Sequence, residues 1–472
     1  MGLTDKIRDA GVVGCGGAGF PTHVKLNASP EVFIVNAAEC EPLLRTDRYL
    51  MLHRPEDLVR GVELICGELK TKDGVIALKK TYDREIEELL NAIKKLDSRV
   101  RLHLMDSFYP AGDEQVVVYE VTGKVVPPSG IPLNVGVVVD NVATVIAVYD
   151  AEMGIPFTAK YLTVTGEVRE PSVMKVPVGT SFAKCLEMAG GPVTGDVMIV
   201  SGGPMMGRAM TYKEAMESFV TKTTSGILVL PEGGAIDRRM KTDIRHTINR
   251  VRSACIQCSF CTDLCPRHML GHPLRPHMIM RKMAMAGDLY DAITGKAAAD
   301  GISTGENAEY PEGSLRELYN DYDIRQAAIC SECGVCEVYA CPMGLQPRTV
   351  NALLKKELAG AGIRYEKEDR EYTASPFREI RKPPTGRIAA RAGVGDYYHI
   401  EGHVYKEDMS PGRVELSLRM HIGTPSVPVI NEGEYVKRGQ LIAKIPDGSL
   451  GANIHASIDG TAHIKADSIV IE

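Results

Sequence analysis

The chain has 472 residues, of which 44% are hydrophobic and 25% are charged, close to the averages of folded globular proteins. Its 55 Lys and Arg residues against 61 Asp and Glu residues give a net charge of −6. Neither sign forms a long run, so the composition excludes the strongly basic surface of a nucleic-acid-binding protein.

Neither a membrane span nor export is expected. The most apolar stretch, residues 136–149, contains Asp140 and Asn141 and is shorter than the roughly 20 residues of a membrane span. The N-terminal residues 1–11 contain no apolar signal core. We therefore expect a cytoplasmic protein whose cysteines stay reduced and serve as ligands or core residues.

A chain of this length is expected to form about three or four domains. In residues 1–158, an apolar run at 32–36 precedes helical patterns over 55–69 and 83–95, and this alternation predicts an α/β layer fold. Residues 159–236 contain short β-rich runs around one helical segment, which predicts a small α+β domain.

The second half of the chain changes character twice. Helical patterns dominate residues 237–364, which predicts a helical domain. Residues 365–413 carry clustered charge, scattered glycines and the pair Pro383 and Pro384, so we expect a linker with little regular structure. Residues 414–472 return to short strands separated by turn signals, which predicts a small all-β module.

Eight of the twelve cysteines form two groups in the helical region, and a proline follows each group. The members are Cys255, Cys258, Cys261 and Cys265 in the first group, and Cys330, Cys333, Cys336 and Cys341 in the second. The first group has the C-x2-C-x2-C-x3-C-P spacing of bacterial iron–sulfur proteins, whose fourth cysteine binds the other of two clusters. This spacing predicts two [4Fe–4S] clusters with crossed ligands, so that Cys341 joins the first three cysteines and Cys265 joins the second three.

The second group departs from this spacing by one residue, since four residues separate Cys336 from Cys341. We expect a local bulge to absorb the extra residue. Structural zinc is the alternative, but zinc sites usually combine two separated C-x2-C pairs, and two C-x2-C-x2-C triplets fit that poorly. Two close clusters indicate electron transfer, so at least one further redox site is expected elsewhere in the chain.

A glycine-rich loop lies near the N-terminus. Residues 14–19 satisfy the G-x-G-x-x-G pattern, and Glu39 follows twenty residues after Gly19, as in a Rossmann dinucleotide site. That motif must follow a buried strand, whereas only the short apolar run 11–13 precedes this loop. The context therefore argues against a Rossmann site.

A longer string of motifs is more specific than the glycines. It comprises residues 14–22, Lys25, residues 35–42, residues 109–114 and residues 136–144. In this order the motifs resemble the flavin-binding fold of the NADH-oxidising flavoprotein subunit of respiratory complex I. They resemble the C subunit of the Rnf electron-transport complex more closely still. The resemblance implies that the first domain binds FMN and NADH.

The resemblance also implies a role for each matching residue. Lys25 would bind the FMN phosphate, while Phe20 and Glu41 would stack on and hydrogen-bond the nicotinamide nucleotide, which makes these two the predicted catalytic residues. Cys15 replaces an arginine of complex I and is expected only to pack the loop. The predicted cofactor-binding residues are Gly14, Gly16, Gly17, Lys25, Asn36, Glu39, Tyr109, Gly112, Asp113, Glu114, Asn141 and Thr144.

The other domains carry resemblances of their own. Residues 159–236 resemble the soluble-ligand-binding β-grasp domain of the same relatives, residues 237–364 a two-cluster ferredoxin domain, and residues 414–472 a barrel-sandwich hybrid of the biotinyl or lipoyl type. The hairpin tip at 448–452 has no lysine to carry a prosthetic group, so this last module is expected to dock or pack. The domain order and the longer second cysteine motif resemble the cobalamin reductase family of propanediol-utilisation microcompartments over essentially the whole chain.

Together these inferences predict an enzyme, an NADH-oxidising reductase that uses FMN and two [4Fe–4S] clusters and reduces a corrinoid. The resemblance implies a place inside a bacterial microcompartment, with a cobalamin adenosyltransferase and shell proteins as partners. Two alternatives stay open. One is a soluble Rnf-like NADH oxidoreductase that regenerates NAD with another acceptor, and the other is a non-enzymatic adaptor that transfers electrons between partner proteins.

Overall fold

The structure is a computed structural model that describes residues 2–286, 315–400 and 402–472. None of the helices in these ranges is long and apolar enough to cross a membrane. Residues 287–314 of the predicted helical domain and Glu401 of the predicted linker lie outside the described residues.

The first domain is built on a sheet of four parallel strands in the order β3-β2-β1-β4. The strands are β1 (Val32–Asn36), β2 (Asp73–Lys79), β3 (Arg101–Met105) and β4 (Val137–Asn141). The helices are α1 (Leu3–Asp9), α2 (Thr22–Lys25), α3 (Thr46–His53), α4 (Pro55–Leu69), α5 (Asp83–Lys95), α6 (Glu114–Thr122) and α7 (Val142–Glu152), with a 3-10 turn at Pro132–Val135. Parallel strands joined through helices confirm the predicted α/β layer fold.

Helices cover both faces of this sheet because its strands are apolar on both sides. Phe33 and Val35 of β1 face a core formed with α4 and α7, while Ile34 faces a second core formed with α6. Helix α4 approaches α7 closely at Gly61, where a Cβ atom would lie 2.6 Å from the carbonyl oxygen of Val145. The glycine therefore sets the distance between the two helices.

The second domain contains a six-stranded mixed sheet in the order β10-β6-β5-β9-β7-β8, in which β10 (Val404–Glu407) comes from a later part of the chain. Its strands from this part of the chain are β5 (Ala159–Gly166), β6 (Ser172–Pro177), β7 (Val197–Ser201), β8 (Arg208–Thr211) and β9 (Gly226–Pro231), and its helices are α8 (Phe182–Met188) and α9 (Tyr212–Met216). Helix α8 packs on one face of the sheet through Phe182, Cys185 and Leu186. The arrangement agrees with the small α+β domain predicted for residues 159–236.

The third region is helical. Its elements are α10 (Ala235–Lys241), α11 (Ile244–Ala254), α12 (Phe260–Asp263), α13 (Pro266–Met269), α14 (Pro276–Met285), α15 (Leu315–Asn320), α16 (Tyr322–Arg325) and α17 (Pro347–Gly360), with a 3-10 turn at Gln326–Ile329 and a π-helical turn at Cys336–Ala340. Ile248 of α11, Ile279 of α14 and Leu354 of α17 belong to one buried core. Both cysteine groups lie in this region, as the sequence predicts.

The prediction that residues 365–413 have little regular structure is wrong. This segment contains a 3-10 turn at Arg378–Arg381, α18 (Thr385–Arg391), α19 (Gly395–Tyr398) and β10 (Val404–Glu407). Ile388 and Ala389 of α18 are fully buried in a core shared with Tyr109 and Val335, and β10 pairs in parallel with β6. A few buried apolar residues, rather than the clustered charge, determine the structure of this segment.

The last module is all β. Its strands are β11 (Val414–Ser417), β12 (Val427–Pro428), β13 (Tyr435–Val436), β14 (Leu441–Lys444), β15 (Ile454–His455), β16 (Gly460–Ile464) and β17 (Ser468–Ile471). They form two small sheets, in the orders β11-β17-β16-β13 and β12-β14-β15, which enclose one core containing Leu416, Ile442 and Ile469. This confirms the predicted all-β module.

The all-β module packs against the glycine loop of the first domain. The N–H of Ile422 donates to the carbonyl oxygen of Gly19 at 3.1 Å. Lys222 of the second domain is buried beside this contact and donates to the carbonyl oxygens of Gly11 and Asn453, at 2.7 Å each. Burial lowers the pKa of Lys222 to about 7. Three domains therefore meet at one lysine.

Candidate functional site

A cleft opens at the carboxyl edge of the parallel sheet, the edge at which open α/β sheets bind ligands. Asn36 of β1 lies opposite Asn141 of β4 in the strand register, so both amide side chains stand at this edge. The cleft has a volume of about 140 Å³, and its walls come from the glycine loop, the strand ends and the second domain. The predicted residues that line it are Gly16, Asn36, Glu39, Glu41, Gly112 and Asn141.

Backbone hydrogen bonds hold the glycine loop in place. The N–H of Gly14 donates to the carbonyl oxygen of Phe20 at 2.9 Å, which closes the base of the loop. The N–H of Cys15 donates to Oγ1 of Thr144 at 2.9 Å, and both side chains are buried. Cys15 therefore packs the loop, and Thr144 holds the loop in position from behind.

Two glycines of this loop determine how closely other groups can approach its backbone. A Cβ atom on Gly16 would lie 3.0 Å from the side chain of Asn141, whereas a Cβ atom on Gly17 would meet nothing within 4 Å. Gly16 thus brings the loop close to the first turn of α7, and Gly17 leaves open space on the other side. Close backbone approach is what a flavin phosphate requires, so the loop fits FMN.

Hydrogen bonds orient the two amides at the sheet edge. Nδ2 of Asn36 donates to the carbonyl oxygen of Gly112 at 2.8 Å. Nδ2 of Asn141 donates to Asp47 at 2.7 Å, and its Oδ1 accepts from the N–H of Ala143 at 2.9 Å, which caps α7. Each amide is therefore fixed before any ligand binds.

Glu41 is the predicted catalytic carboxylate. Its Oε2 accepts a hydrogen bond of 2.9 Å from the N–H of Met205, while its buried Oε1 has no partner among the described residues. Burial raises the pKa of Glu41 to about 7, although backbone donors and the charges of Arg348 and Arg239 oppose the change. An unpartnered oxygen that titrates near neutral pH is available to a bound flavin or nicotinamide.

Two further carboxylates line the cleft. Glu39 accepts hydrogen bonds from the N–H groups of Asp47 at 3.0 Å and Arg48 at 3.4 Å. Burial raises the pKa of Glu39, and burial together with the charge of Glu39 raises the pKa of Asp47. The acids of the cleft therefore resist ionisation, which limits repulsion of an anionic cofactor.

Lys25 is not among the residues that line the cleft. Its Nζ donates to the carbonyl oxygen of Val139 and lies 3.3 Å from Asp140 and 3.5 Å from Glu114. Burial alone would lower the pKa of Lys25, but the two carboxylates outweigh it and raise that pKa. The predicted contacts of Lys25 and Glu114 with FMN remain predictions, and this lysine already has anionic partners.

Two predicted residues connect the first domain to the cluster domain. Tyr109 is fully buried and donates from its hydroxyl to the carbonyl oxygen of Cys333 at 2.7 Å. Asp113 caps α6 and forms an ion pair of 2.9 Å with Arg267. Phe20 differs from both, because it is 38% exposed on the glycine loop and is accessible to a ligand from solvent.

The structure adds cleft residues that the sequence analysis did not single out. They are Cys40, Leu44, Thr46, Asp47, Ala143, Lys160, Tyr161 and Ser225. Lys160 is 3% exposed, and its Nζ lies 3.4 Å from the carbonyl oxygen of Cys15. The sequence does carry a signal for Lys160: it alternates with Leu162 and Val164, both fully buried, which places the lysine on the same strand face.

The cysteines gather into two sites in the arrangement that crossed ligation requires. The inner site consists of Cys265, Cys330, Cys333 and Cys336, which line one cavity. The outer site consists of Cys255, Cys258, Cys261 and Cys341, which line another. Left-handed backbone at Gln257, Ser259, Glu332 and Gly334 turns the chain around the two sites. Four cysteines around each cavity fit one cubane cluster apiece.

A π-helical turn, Cys336–Ala340, absorbs the extra residue of the second cysteine group. Such a turn contains one more residue than an α-helical turn, so Cys341 can reach the outer site despite the longer spacing. Glu337 within the turn accepts from the N–H and the hydroxyl of Thr349, at 3.1 Å each. This turn is the local bulge that the sequence predicts.

The two cysteine sites differ in exposure. Each cysteine of the inner site is at most 8% exposed, whereas Cys255, Cys258 and Cys261 of the outer site are only partly buried. Ile256 and Phe260 beside them are 60% and 51% exposed. Burial raises the pKa of the inner thiols, so a cationic metal group is needed to hold them as thiolates.

Comparison with protein families divides the chain in the predicted order. The matches are the Nuo51 FMN-binding domain over residues 7–150, the SLBB domain over 161–209, the 4Fe-4S dicluster domain over 254–346 and the RnfC barrel sandwich hybrid domain over 402–469. They confirm the predicted cofactors, FMN and two [4Fe–4S] clusters, and disfavour the zinc alternative.

Relatives that resemble only part of the chain include the C subunit of a proton-translocating ferredoxin:NAD(+) oxidoreductase complex from Clostridium ljungdahlii. It is 36% identical over 269 residues, which cover 56% of this chain and 55% of the relative. An NAD+-reducing [NiFe]-hydrogenase in the H2-reduced state superimposes with a TM-score of 0.47 at 20% identity, over 75% of this chain and 62% of its own. A superposition that weak carries no conclusion.

Two relatives named cobalamin reductase PduS match nearly the whole chain. The protein of Citrobacter freundii is 39% identical over 472 residues, which cover 99% of this chain and 96% of the relative. The protein of Salmonella typhimurium is 41% identical over 469 residues, which cover 99% of this chain and 95% of the relative. The chain therefore belongs to the cobalamin reductase PduS family.

Proposed function

We propose that this chain is an NADH-dependent reductase that uses FMN and two [4Fe–4S] clusters to reduce a corrinoid. The observation that carries the proposal is the direct connection of the flavin domain to the inner site, through the 2.7 Å hydrogen bond from Tyr109 to Cys333. The full-length relationship to proteins named cobalamin reductase supports the corrinoid as acceptor. Bound FMN converts a hydride into single electrons, and iron–sulfur clusters carry electrons singly.

The residues of the chain supply binding, orientation and proton exchange. Hydrogen bonds to Gly112 and Asp47 orient the side chains of Asn36 and Asn141 at the sheet edge. Glu41 can take up or release a proton at Oε1 near neutral pH, since burial raises its pKa to about 7. Phe20 is exposed on the glycine loop and can stack on a nucleotide that arrives from solvent. These placements support the predicted nicotinamide contacts.

The exposure of the cysteine sites supports a direction of transfer. The inner site is enclosed and adjoins the flavin domain through Tyr109. The outer site adjoins exposed apolar side chains such as Ile256 and Phe260. An external acceptor can therefore approach the outer site, whereas the inner site is shielded from solvent and from adventitious oxidants.

Anaerobic stopped-flow spectroscopy tests the proposal. NADH should bleach the flavin absorbance, and cob(III)alamin should then be reduced catalytically. Cys258→Ala and Cys333→Ala should slow corrinoid reduction while leaving the bleaching, and Cys66→Ser, which alters a half-buried helical thiol outside both sites, is the matched control.

Two other outcomes would each favour one of the alternative functions. A flavin that stays oxidised in NADH would support the electron-transfer adaptor. Bleaching without corrinoid reduction beyond that given by free reduced flavin would support the Rnf-like NADH oxidoreductase with another acceptor.

The proposal extends to the location and partners that the sequence resemblance implies. A place inside a bacterial microcompartment, with a cobalamin adenosyltransferase and shell proteins nearby, would keep the corrinoid and its reductant together. Purified microcompartments from the producing cells should contain this chain, and the adenosyltransferase should co-purify with it. Absence of the chain from intact compartments would contradict this extension and leave the proposed reaction untouched.

A further inference from the structure

A second cavity adjoins the flavin cleft and is larger than it. This cavity has a volume of about 360 Å³ and lies where the first domain, β5 and β6 of the second domain and the all-β module meet. Cys15, Ala143, Lys160 and Tyr161 line both cavities. The wall between the two is therefore made of the glycine loop, the first turn of α7 and β5.

A ligand as large as FMN cannot be contained in the cleft alone. The cleft measures about 140 Å³, whereas pockets for ligands of that size usually measure roughly 300–1,000 Å³. If the flavin ring lies at the sheet edge beside Asn36 and Gly112, the shared wall, which opens toward the larger cavity, can receive the phosphate end. The chemistry of the wall then decides how the phosphate is held.

Lys160 is the cation at this wall. Among the described residues that line the cleft, Lys160 is the one Lys or Arg. An ammonium group has three N–H donors, and the hydrogen bond of Lys160 to the carbonyl oxygen of Cys15 is long, at 3.4 Å. Burying the charge of Lys160, which is 3% exposed, costs free energy that this long hydrogen bond compensates only weakly. A bound anion would offset that cost.

The backbone on the other side of the wall also suits an anion. Helix α7 has eleven residues, and its N-terminal turn lies at the cleft through Asn141 and Ala143. Peptide N–H groups at a helix N-terminus attract phosphate, and Gly16 and Gly17 let a phosphate approach the loop backbone closely. Lys160 and this backbone therefore face the same space from two domains.

Lys25 is less well placed for the same role. It is held by Asp140 and Glu114 and by the carbonyl oxygen of Val139, and it is absent from the residues that line the cleft. A phosphate would have to compete with two carboxylates for this lysine. Lys160 has no such competitor within ion-pair distance in the described residues, although Asp47 interacts with it at longer range.

We infer that Lys160 of the second domain binds the phosphate of FMN, in place of the contact that the sequence resemblance assigns to Lys25. The inference rests on the proposed binding of FMN in the cleft. It gives the second domain a part in flavin recognition, because that domain would supply the charge while the first domain supplies the glycine loop and the ring contacts.

Flavins that differ only in the phosphate test this inference. FMN and riboflavin are titrated into flavin-depleted protein with intact clusters, and fluorescence quenching gives both dissociation constants. Lys160→Met should weaken FMN binding about tenfold or more and change riboflavin binding less than about twofold, as expected for loss of a charge-assisted hydrogen bond. Lys160→Arg, which keeps the charge, should retain the preference for FMN.

Lys175→Met is the matched control, and Lys25→Met is the variant that tests the competing assignment. Lys175→Met alters a lysine that lines the larger cavity but is paired with Glu407 at 3.0 Å, and it should bind both flavins as the wild type does. Lys25→Met should keep most of the preference for FMN. Iron content and circular dichroism establish that each variant is folded.

The opposite results would overturn the inference. If Lys160→Met weakens FMN and riboflavin equally, the lysine acts as a counter-ion of Asp47 and not as a phosphate ligand. If Lys25→Met abolishes the preference while Lys160→Met retains it, the phosphate belongs to Lys25. Loss of the preference in Lys160→Arg would likewise count against the inference. A wild-type protein that binds neither flavin would instead refute the proposed function.

Discussion

Replacing Glu41 by Gln isolates the effect of one buried carboxylate on flavin reduction. Burial raises the pKa of Glu41 from 4.5 to about 7, which corresponds to about 3 kcal/mol in favour of the neutral form. Because the folded chain holds this proton more tightly than the unfolded chain, the carboxyl adds stability below pH 4.5, and the contribution is lost as the pH rises to 7. Glu41 is therefore mostly neutral at pH 6 and mostly ionised at pH 8.

The charge of Glu41 should oppose the arrival of a hydride at the cleft. We expect the rate at which NADH bleaches the flavin to fall by up to about tenfold between pH 6 and pH 8, with a midpoint near 7. Glu41→Gln keeps the shape of the side chain and can still accept the hydrogen bond from Met205, but it cannot ionise. The variant should lack the step and, at pH 8, should react as the wild type does at pH 6.

Anaerobic stopped-flow measurements from pH 5.5 to 8.5 provide the test. The ratio of the wild-type rate to the variant rate at each pH removes pH effects that both proteins share. Glu56→Gln is the control, because Glu56 pairs with Lys95 at 2.5 Å on the surface and lies outside the cleft lining. A step near pH 7 that persists in Glu41→Gln, or a ratio that is constant with pH, would refute the reasoning.

The other predictions concern the clusters, the flavin and the domain junction. Anaerobically purified protein should contain about eight iron and eight sulfide per chain, and Cys258→Ala should lose about half of the iron while keeping its flavin, as metal and flavin analysis would show. Gly16→Val should lose the flavin but keep the iron, because a Cβ atom at Gly16 already lies 3.0 Å from Asn141; full FMN content in acid extracts would contradict this. Lys222→Met should abolish a rise in thermal stability between pH 7 and pH 10. Burial lowers the pKa of Lys222 to about 7, so its contribution to stability is present above pH 10.5 and is lost as the pH falls to 7. Melting temperatures of the wild type and the variant that depend equally on pH would contradict this.

Local signals in the sequence locate the regular elements of the first domain closely. Helices α4 (Pro55–Leu69) and α5 (Asp83–Lys95) have the predicted bounds, because each begins at a proline or acidic residue suited to a first turn and repeats its apolar residues at helical spacing. Strand β10 (Val404–Glu407) was missed, since its pairing with β6 joins residues far apart in sequence and no local pattern encodes that partner.

Part of the cleft lining was predictable, because contiguous motifs of the first domain supply it. Asn36, Glu41 and Gly112 come from motifs of the first domain and meet at the cleft. The crossed arrangement of the cysteines follows from spacing, because spacing limits how far a ligand can reach. Lys160 could not be assigned, since its place beside Cys15 depends on how the second domain docks, and docking is a tertiary property.

The return of the chain to the second domain affects the order of events during synthesis. Strand β6 ends at Pro177, and its neighbour β10 ends at Glu407, about 230 residues later. At about 5–20 residues per second, a ribosome needs roughly 10–50 s to make that interval. Throughout that time one side of β6 presents unpaired peptide groups, which can pair wrongly with other nascent chains. A slower ribosome would lengthen this exposure, so translation speed affects the yield of correctly folded protein.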